Sequence, residues 1–109
     1  MQTDSFALST AVPGHVLALS GRLDVHAAAD ARLELADAVD AGEGELVLDL
    51  TDLAAVDPTG LGVLVGAHRR AGRLGRTLVL RDTPPAVGRV LRRTRLDRVL
   101  RQTSTAAYT

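Results

Sequence analysis

One tetrapeptide, Asp57-Pro58-Thr59-Gly60, joins residue types whose order suggests chemistry. Asp is a favoured helix N-cap, and Pro is tolerated at the first helical position because its missing N–H would be unpaired there anyway. Thr59 then falls in the first turn, where free backbone N–H groups and the positive end of the helix dipole favour negative charge. A hydroxyl at that place can accept a phosphoryl group, and the added charge is better tolerated there than elsewhere on a surface. The simpler role, a first-turn residue that satisfies an unpaired N–H, is compatible with it, since a capping hydroxyl at an exposed helix start is open to a kinase. Asp57 reads as the cap of this helix and Asp24 as the cap of the one before it. Contact with a partner is a second role for both.

Other chemistries find little support. His15, His26 and His68 lack the i, i+4 spacing of a metal pair, and no cysteine stands near them or anywhere else in the chain. No Gly-x-Ser-x-Gly nucleophile elbow occurs. Gly60-Leu61-Gly62-Val63-Leu64-Val65-Gly66, with Asp82 about 20 residues on, imitates a dinucleotide fingerprint, but its spacing is one residue too long. Its first glycine also follows the preceding strand at a distance instead of directly. No cofactor and no metal are therefore expected, and Gly62 and Gly66 are expected to let a helix lie close to a sheet.

The formal net charge of zero conceals an asymmetry. Two arginines stand against eleven carboxylates before position 69, and eleven arginines against two carboxylates from there on; lysine is absent. A basic half can attract nucleic acid or an acidic surface. Phe6 and Tyr108 are the only aromatics, so base stacking is hardly available, and nucleic acid is not the expected partner. No uninterrupted apolar run reaches membrane-spanning length, and MQTDSFALST has neither a basic start nor an apolar core of a secretory signal. A cytoplasmic protein without membrane insertion is the expectation.

The elements that must position Thr59 follow from apolar spacing and turn residues. Ser5–Thr10 and His15–Ser20 read as a hairpin around Pro13-Gly14, and Gly21-Arg22-Leu23-Asp24 as a loop. Ala28, Ala31, Leu35 and Val39 form a helical stripe, stopped at Gly42 and Gly44. Leu46–Leu50 has the length and composition of a buried strand, followed by a loop over 51–58 and a helix over 60–72 ended by Gly72 and Gly75. Thr77–Leu80 is a second buried strand, and the Asp82-Thr83-Pro84-Pro85 start leads a helix with Val87, Val90 and Leu91 inward and Arg89, Arg92 and Arg93 outward. Asp97–Arg101 is predicted as an edge strand, and 102–109 as a frayed tail. Strand–helix alternation after a hairpin gives one α/β domain over residues 1–109, with a mixed sheet covered by helices.

With these elements in place, Asp57-Pro58-Thr59-Gly60-Leu61-Gly62 behind the strand Leu46-Val47-Leu48-Asp49-Leu50, and Gly21-Arg22-Leu23-Asp24 upstream, resemble the STAS domain (sulfate transporter and anti-sigma-factor antagonist). More narrowly, the chain looks like the stand-alone bacterial anti-sigma-factor antagonists. The resemblance runs from the hairpin to about Leu100. It implies that Thr59 occupies the position phosphorylated by an anti-sigma factor that is itself a serine/threonine kinase. It also implies that Asp24, Asp57, Pro58, Thr59, Gly60 and Leu61 form the surface docking on that partner. Two departures stand out. Pro58 replaces the usual Ser, leaving one hydroxyl in the motif, and the family's further C-terminal helix is short or missing. The implied function is a binding switch without catalysis: the unmodified protein sequesters the anti-sigma factor and phosphorylation releases it. Some small STAS proteins are instead structural subunits of sensor scaffolds or lipid-transport ATPase complexes. These often carry Thr at the motif, so that alternative stands beside the first.

Overall fold

The computed structural model describes residues 5–105. Its elements are β1 (Ala7–Val12), β2 (Val16–Leu23), α1 (Ala28–Asp40), β3 (Glu45–Val56), α2 (Pro58–Arg73), β4 (Thr77–Arg81), α3 (Pro85–Arg93), a 3-10 turn (Leu96–Arg98) and β5 (Arg101–Thr103). The strands lie in chain order in one five-stranded sheet. β1 pairs antiparallel with β2, and every later pairing is parallel. The sheet is therefore mixed, as the hairpin followed by strand–helix alternation requires.

Alternation decides which face the helices cover. Leu46, Leu48 and Leu50 of β3 and Leu78 and Leu80 of β4 share one apolar core with Leu35 and Val39 of α1, Leu64 and Ala71 of α2, and Val87 and Leu91 of α3. The helical stripe of α1 is buried residue for residue as its spacing predicts. On α3, Val87 and Leu91 are buried, while Val90 is half-buried at the margin of the core. The opposite sheet face carries the Asp49–Arg81 ion pair at 3.2 Å, with the Thr51 hydroxyl donating to the same carboxylate at 2.7 Å.

Several boundaries differ from the sequence reading. Gly21-Arg22-Leu23 is not a loop but the end of β2, and β3 runs on through Val56 in place of a loop over 51–58. Each stretch is held by the other: Arg22 pairs with Ala55 and Leu23 with Val56 across a parallel ladder that single-strand patterning does not reveal. Helix α2 begins at Pro58 and passes through Gly72 to Arg73; the turn is made at Gly75, whose φ is +72°. Asp24 does not cap α1 at its N-cap position, which is Ala27. Its carboxylate accepts instead from the N–H groups of His26 (3.0 Å) and Ala27 (3.3 Å), closing a turn just ahead of the helix.

The C-terminal edge shifts as well. Leu96–Arg98 is a 3-10 turn entered through Arg95 in the left-handed region (φ 63°), so the edge strand forms later, at Arg101–Thr103. Residues 102–105, expected to fray, are held. Gln102 and Thr103 pair with β4, and Asp82 accepts from the Thr105 N–H at 2.7 Å and its hydroxyl at 2.6 Å. Those two bonds, the hydroxyl's foremost, hold the Asp82 carboxyl below its ordinary pKa. The rest of the predicted tail, 106–109, lies outside the described residues.

Arg76 is the buried charge that sequence reasoning passes over. The residue is 5% exposed, and its guanidinium donates to the carbonyls of Gly14 (2.6 Å), Val39 (2.8 Å), Gly44 (3.0 Å) and Ala38 (3.1 Å). One side chain thereby satisfies the C-terminal carbonyls of α1 and ties the β1–β2 turn to the α1–β3 loop. Gly42 serves the same junction, since a Cβ there would stand 2.6 Å from the Gly14 oxygen. Replacing Arg76 by Leu leaves these acceptors unpaired and should cost about 2–4 kcal/mol. Arg76→Lys, without the planar fork, should recover only part of that. Urea unfolding measures both, and an unchanged midpoint for Arg76→Leu would show that the carbonyls do not depend on the guanidinium.

Candidate modification and docking site

The site is built at the carboxyl ends of β2 and β3, where α2 starts. Asp57 has extended backbone (φ −103°, ψ 177°) and makes four bonds there. Its carboxylate accepts from Gly60 N–H at 2.7 Å, the N-cap bond, and from Val25 N–H at 3.0 Å in the loop ahead of α1. Its own N–H donates to the Leu23 carbonyl at 3.2 Å, and its carbonyl accepts from Leu61 N–H at 2.9 Å. A single Asp thus caps α2 and fastens the Asp24–Ala27 turn beside it. The capping role read from sequence is the one seen.

Gly60 makes this junction possible. A Cβ on it would lie 2.0 Å from the Leu23 oxygen and 2.9 Å from Val56 Cγ2, so only glycine lets α2 start this close to the end of β2. The expectation that Gly62 and Gly66 bring the helix to the sheet is wrong. Nothing lies within 4 Å of a Cβ at either, because both sit on the side of α2 turned away from the sheet.

The six residues singled out from sequence separate by exposure. Pro58 and Thr59 face solvent, Asp24 and Asp57 are half-buried, and Gly60 and Leu61 are buried. Since Asp57 performs the capping, the Thr59 hydroxyl has no such duty. Val25, 59% exposed, and the exposed His26 stand on the loop that Asp57 holds, next to Asp24. Sequence reasoning missed both. The available signal was an apolar residue placed between a turn-forming Asp and a helix start. Among the described residues, no cluster of three or more His, Cys, Asp or Glu is arranged to hold a metal ion, and no helix is long and apolar enough to cross a membrane.

A family model described as "Mlab, STAS domain" matches residues 6–102. The chain belongs to the STAS domain family. A curated relative, the anti-sigma F factor antagonist of Paenibacillus polymyxa, is 32% identical over 77 residues, which span 70% of this chain and 66% of that protein. Among solved structures, an anti-sigma factor antagonist from Mycobacterium paratuberculosis superposes with a TM-score of 0.75 at 25% identity, covering 93% of this chain and 87% of its own. The anti-sigma factor antagonist SpoIIAA, solved in its unphosphorylated form, gives 0.72 at 19% identity over 95% and 92% of the two chains, a likeness of fold. The STAS fold thus accounts for almost the whole chain, and its helix α2 carries Thr59 at the exposed first turn.

The contrast between glycines is directly testable. Gly60→Ala forces a methyl group onto a backbone carbonyl and should destabilise this STAS domain by about 1–3 kcal/mol. Gly62→Ala meets open space in a helix and should stabilise it by up to about 1 kcal/mol. Parallel urea titrations give both signs. Equal effects at the two positions would disprove the close approach at Gly60.

Proposed function

We propose that this STAS domain is an anti-sigma-factor antagonist working as a phosphorylation-controlled binding switch. The observation that carries the reading is the division of labour at the start of α2. Asp57 caps the helix, so the Thr59 hydroxyl is exposed in the first turn and free for modification. The antagonist names borne by relatives of the same fold support it. The partner is an anti-sigma factor that is also a serine/threonine kinase. Pro58 and Thr59 contact it directly, together with Asp24 and the exposed Val25 on the loop alongside. Asp57, Gly60 and Leu61 hold that surface in shape from beneath. The protein itself performs no chemistry in this scheme.

The kinase transfers the γ-phosphoryl group of ATP to Thr59 Oγ1, with ADP as the leaving group and the hydroxyl proton released to solvent. The product carries about −1.5 to −2 charge at pH 7. Within the folded domain the helix dipole supports that charge by about 0.3–1 kcal/mol. In a packed interface the same group must be desolvated and meets any acidic neighbour, at a cost that can reach several kcal/mol, with every ~1.4 kcal/mol a factor of ten in affinity. Binding is therefore lost while the fold persists.

A second reading is favoured by the "Mlab" description of the matching family model. In it the domain is a structural subunit of a larger assembly, such as a sensor scaffold or a lipid-transport ATPase complex, and Thr59 is a surface residue. One experiment separates the two. Wild-type and Thr59→Glu proteins serve as baits in the native host, and each purified anti-sigma kinase so captured is then incubated with wild type, Thr59→Ala and ATP. The switch predicts a phosphoryl group on wild type but not on Thr59→Ala, and at least about tenfold weaker binding by a folded Thr59→Glu protein. Retention of a transporter ATPase or scaffold by both baits, with no modification of Thr59, would establish the structural subunit instead.

A further inference from the structure

Helices α1 and α2 run side by side on the sheet and leave a groove between them of about 180 Å³. Its floor is apolar, made by Leu35, Val63 and Ala67, and Gly66 opens one wall because it has no side chain. The volume lies below the ~300–1,000 Å³ typical of small-molecule sites, and it suits a partner's apolar side chain better than a cofactor. Arg32 on α1 and Arg70 and Arg73 on α2 form the rim. Arg70 is committed to Asp40 at 2.6 Å, but among the described residues Arg32 and Arg73 have no ion-pair partner.

Most carboxylates of α1 lie on the flank away from the groove, Asp40 being the exception through its pair with Arg70. Asp30 and Glu34 line a cleft with Phe6 and Arg22, and Glu34 and Asp37 line another with Leu8 and Thr10, both on the β1 side. Arg32 points the other way, into the groove. An apolar groove with free cations on its lips is complementary to an amphipathic helix with an acidic outer face. The α2 side of the groove is also continuous with the modification site. Thr59 precedes Val63 by one helical turn, and Val63, Gly66, Arg70 and Arg73 continue the same face at helical spacing.

We infer that the groove between α1 and α2 receives an acidic amphipathic helix of the partner protein, seated against Gly66 between Arg32 and Arg73, with one end beside Thr59. The inference rests on the switch reading for its partner and adds what that partner must present. Apolar residues at i, i+3 or i+4 and i+7 fill the floor, and carboxylates meet the two free arginines. A phosphoryl group on Thr59 then stands at the mouth of a groove whose occupant is itself acidic, which supplies the like-charge repulsion the switch needs.

The probe is a synthetic amphipathic helix with leucines at helical spacing and glutamates elsewhere, titrated into the ¹⁵N-labelled full chain and compared with a version carrying lysines for glutamates. The expected result is saturable shifts of the Gly62, Gly66 and Ala67 amides with the glutamate peptide only, weakening as salt is raised. Affinity should fall at least about tenfold in Gly66→Leu, which fills the groove, and in the Arg32→Glu/Arg73→Glu double variant. A Cβ at Gly66 meets nothing within 4 Å and Leu has the better helix propensity, so the thermal midpoint of Gly66→Leu should equal or exceed that of wild type. Should it fail to fold, the charge-reversed variant decides alone. No shifts, shifts centred elsewhere, equal response to the lysine peptide, or undiminished binding by the variants would overturn the proposal. So would concentration-dependent broadening of the same glycines without peptide, which would assign the groove to a second copy of this chain. The titration involves no kinase, so its failure is distinct from a failure to phosphorylate Thr59.

Discussion

The carbonyl of Leu23 is the point against which the site is set. It ends β2, accepts the N–H of Asp57, and lies so close to Gly60 that a methyl group there would overlap it. For that contact to exist, β3 must run far enough to bring Val56 across from Leu23, which is why this strand is twelve residues long while β4 has five. The chain then has to turn at once into a helix. Asp57 achieves this by capping α2 with one carboxylate oxygen and holding Val25 with the other. The outward position of Pro58 and Thr59 is a consequence of those inward constraints.

The two ends of the parallel part of the sheet are stabilised by different chemistry. At the carboxyl ends of β2 and β3, backbone contact and one carboxylate fix a short exposed turn. At the opposite ends, Arg76 gathers carbonyls from the hairpin turn, the end of α1 and the loop into β3. A guanidinium suits that task because its planar fork donates in several fixed directions at once, and burial makes each bond matter more. Open α/β sheets characteristically place ligand contacts at the carboxyl ends of their strands. Here that end carries the exposed hydroxyl of Thr59, and the rigidity of the other end keeps the strands in register beneath it.

What the sequence disclosed follows from which forces are local. The cap Asp57, the Pro58 start and the α1 stripe of Ala28, Ala31, Leu35 and Val39 are set within one or two helical turns, and all appear as read. The end of β2 and the length of β3 depend on partners more than thirty residues away in the chain, so Gly21-Arg22-Leu23 reads as a loop in sequence although it pairs with Ala55 and Val56 in the fold. Arg76 gave no signal for a related reason. A single Arg after a glycine turn resembles any surface residue, and only tertiary contact surrounds it with carbonyls. Gly60 and Gly62 were indistinguishable in sequence because each is a helix-start glycine; the Leu23 oxygen alone separates them.

Pro58 bears on how a phosphorylated Thr59 would behave. A phosphate at a helix start is ordinarily steadied by the free N–H groups of the first turn. Pro58 has none, Gly60 N–H is taken by the Asp57 carboxylate, and Leu61 N–H by the Asp57 carbonyl. Among the described residues this leaves the N–H of Thr59 itself as the donor in that turn. The Asp57 carboxylate at the cap would repel the new charge. A phosphoryl group on Thr59 would thus gain little from folding back onto the helix and would stay directed outward. Such a group would alter binding through the charge it presents to a partner, with no rearrangement of the domain required. In the proposed switch, Pro58 would stiffen the turn and leave Thr59 as the one side chain of the Asp57-Pro58-Thr59-Gly60 start that can take the phosphoryl group.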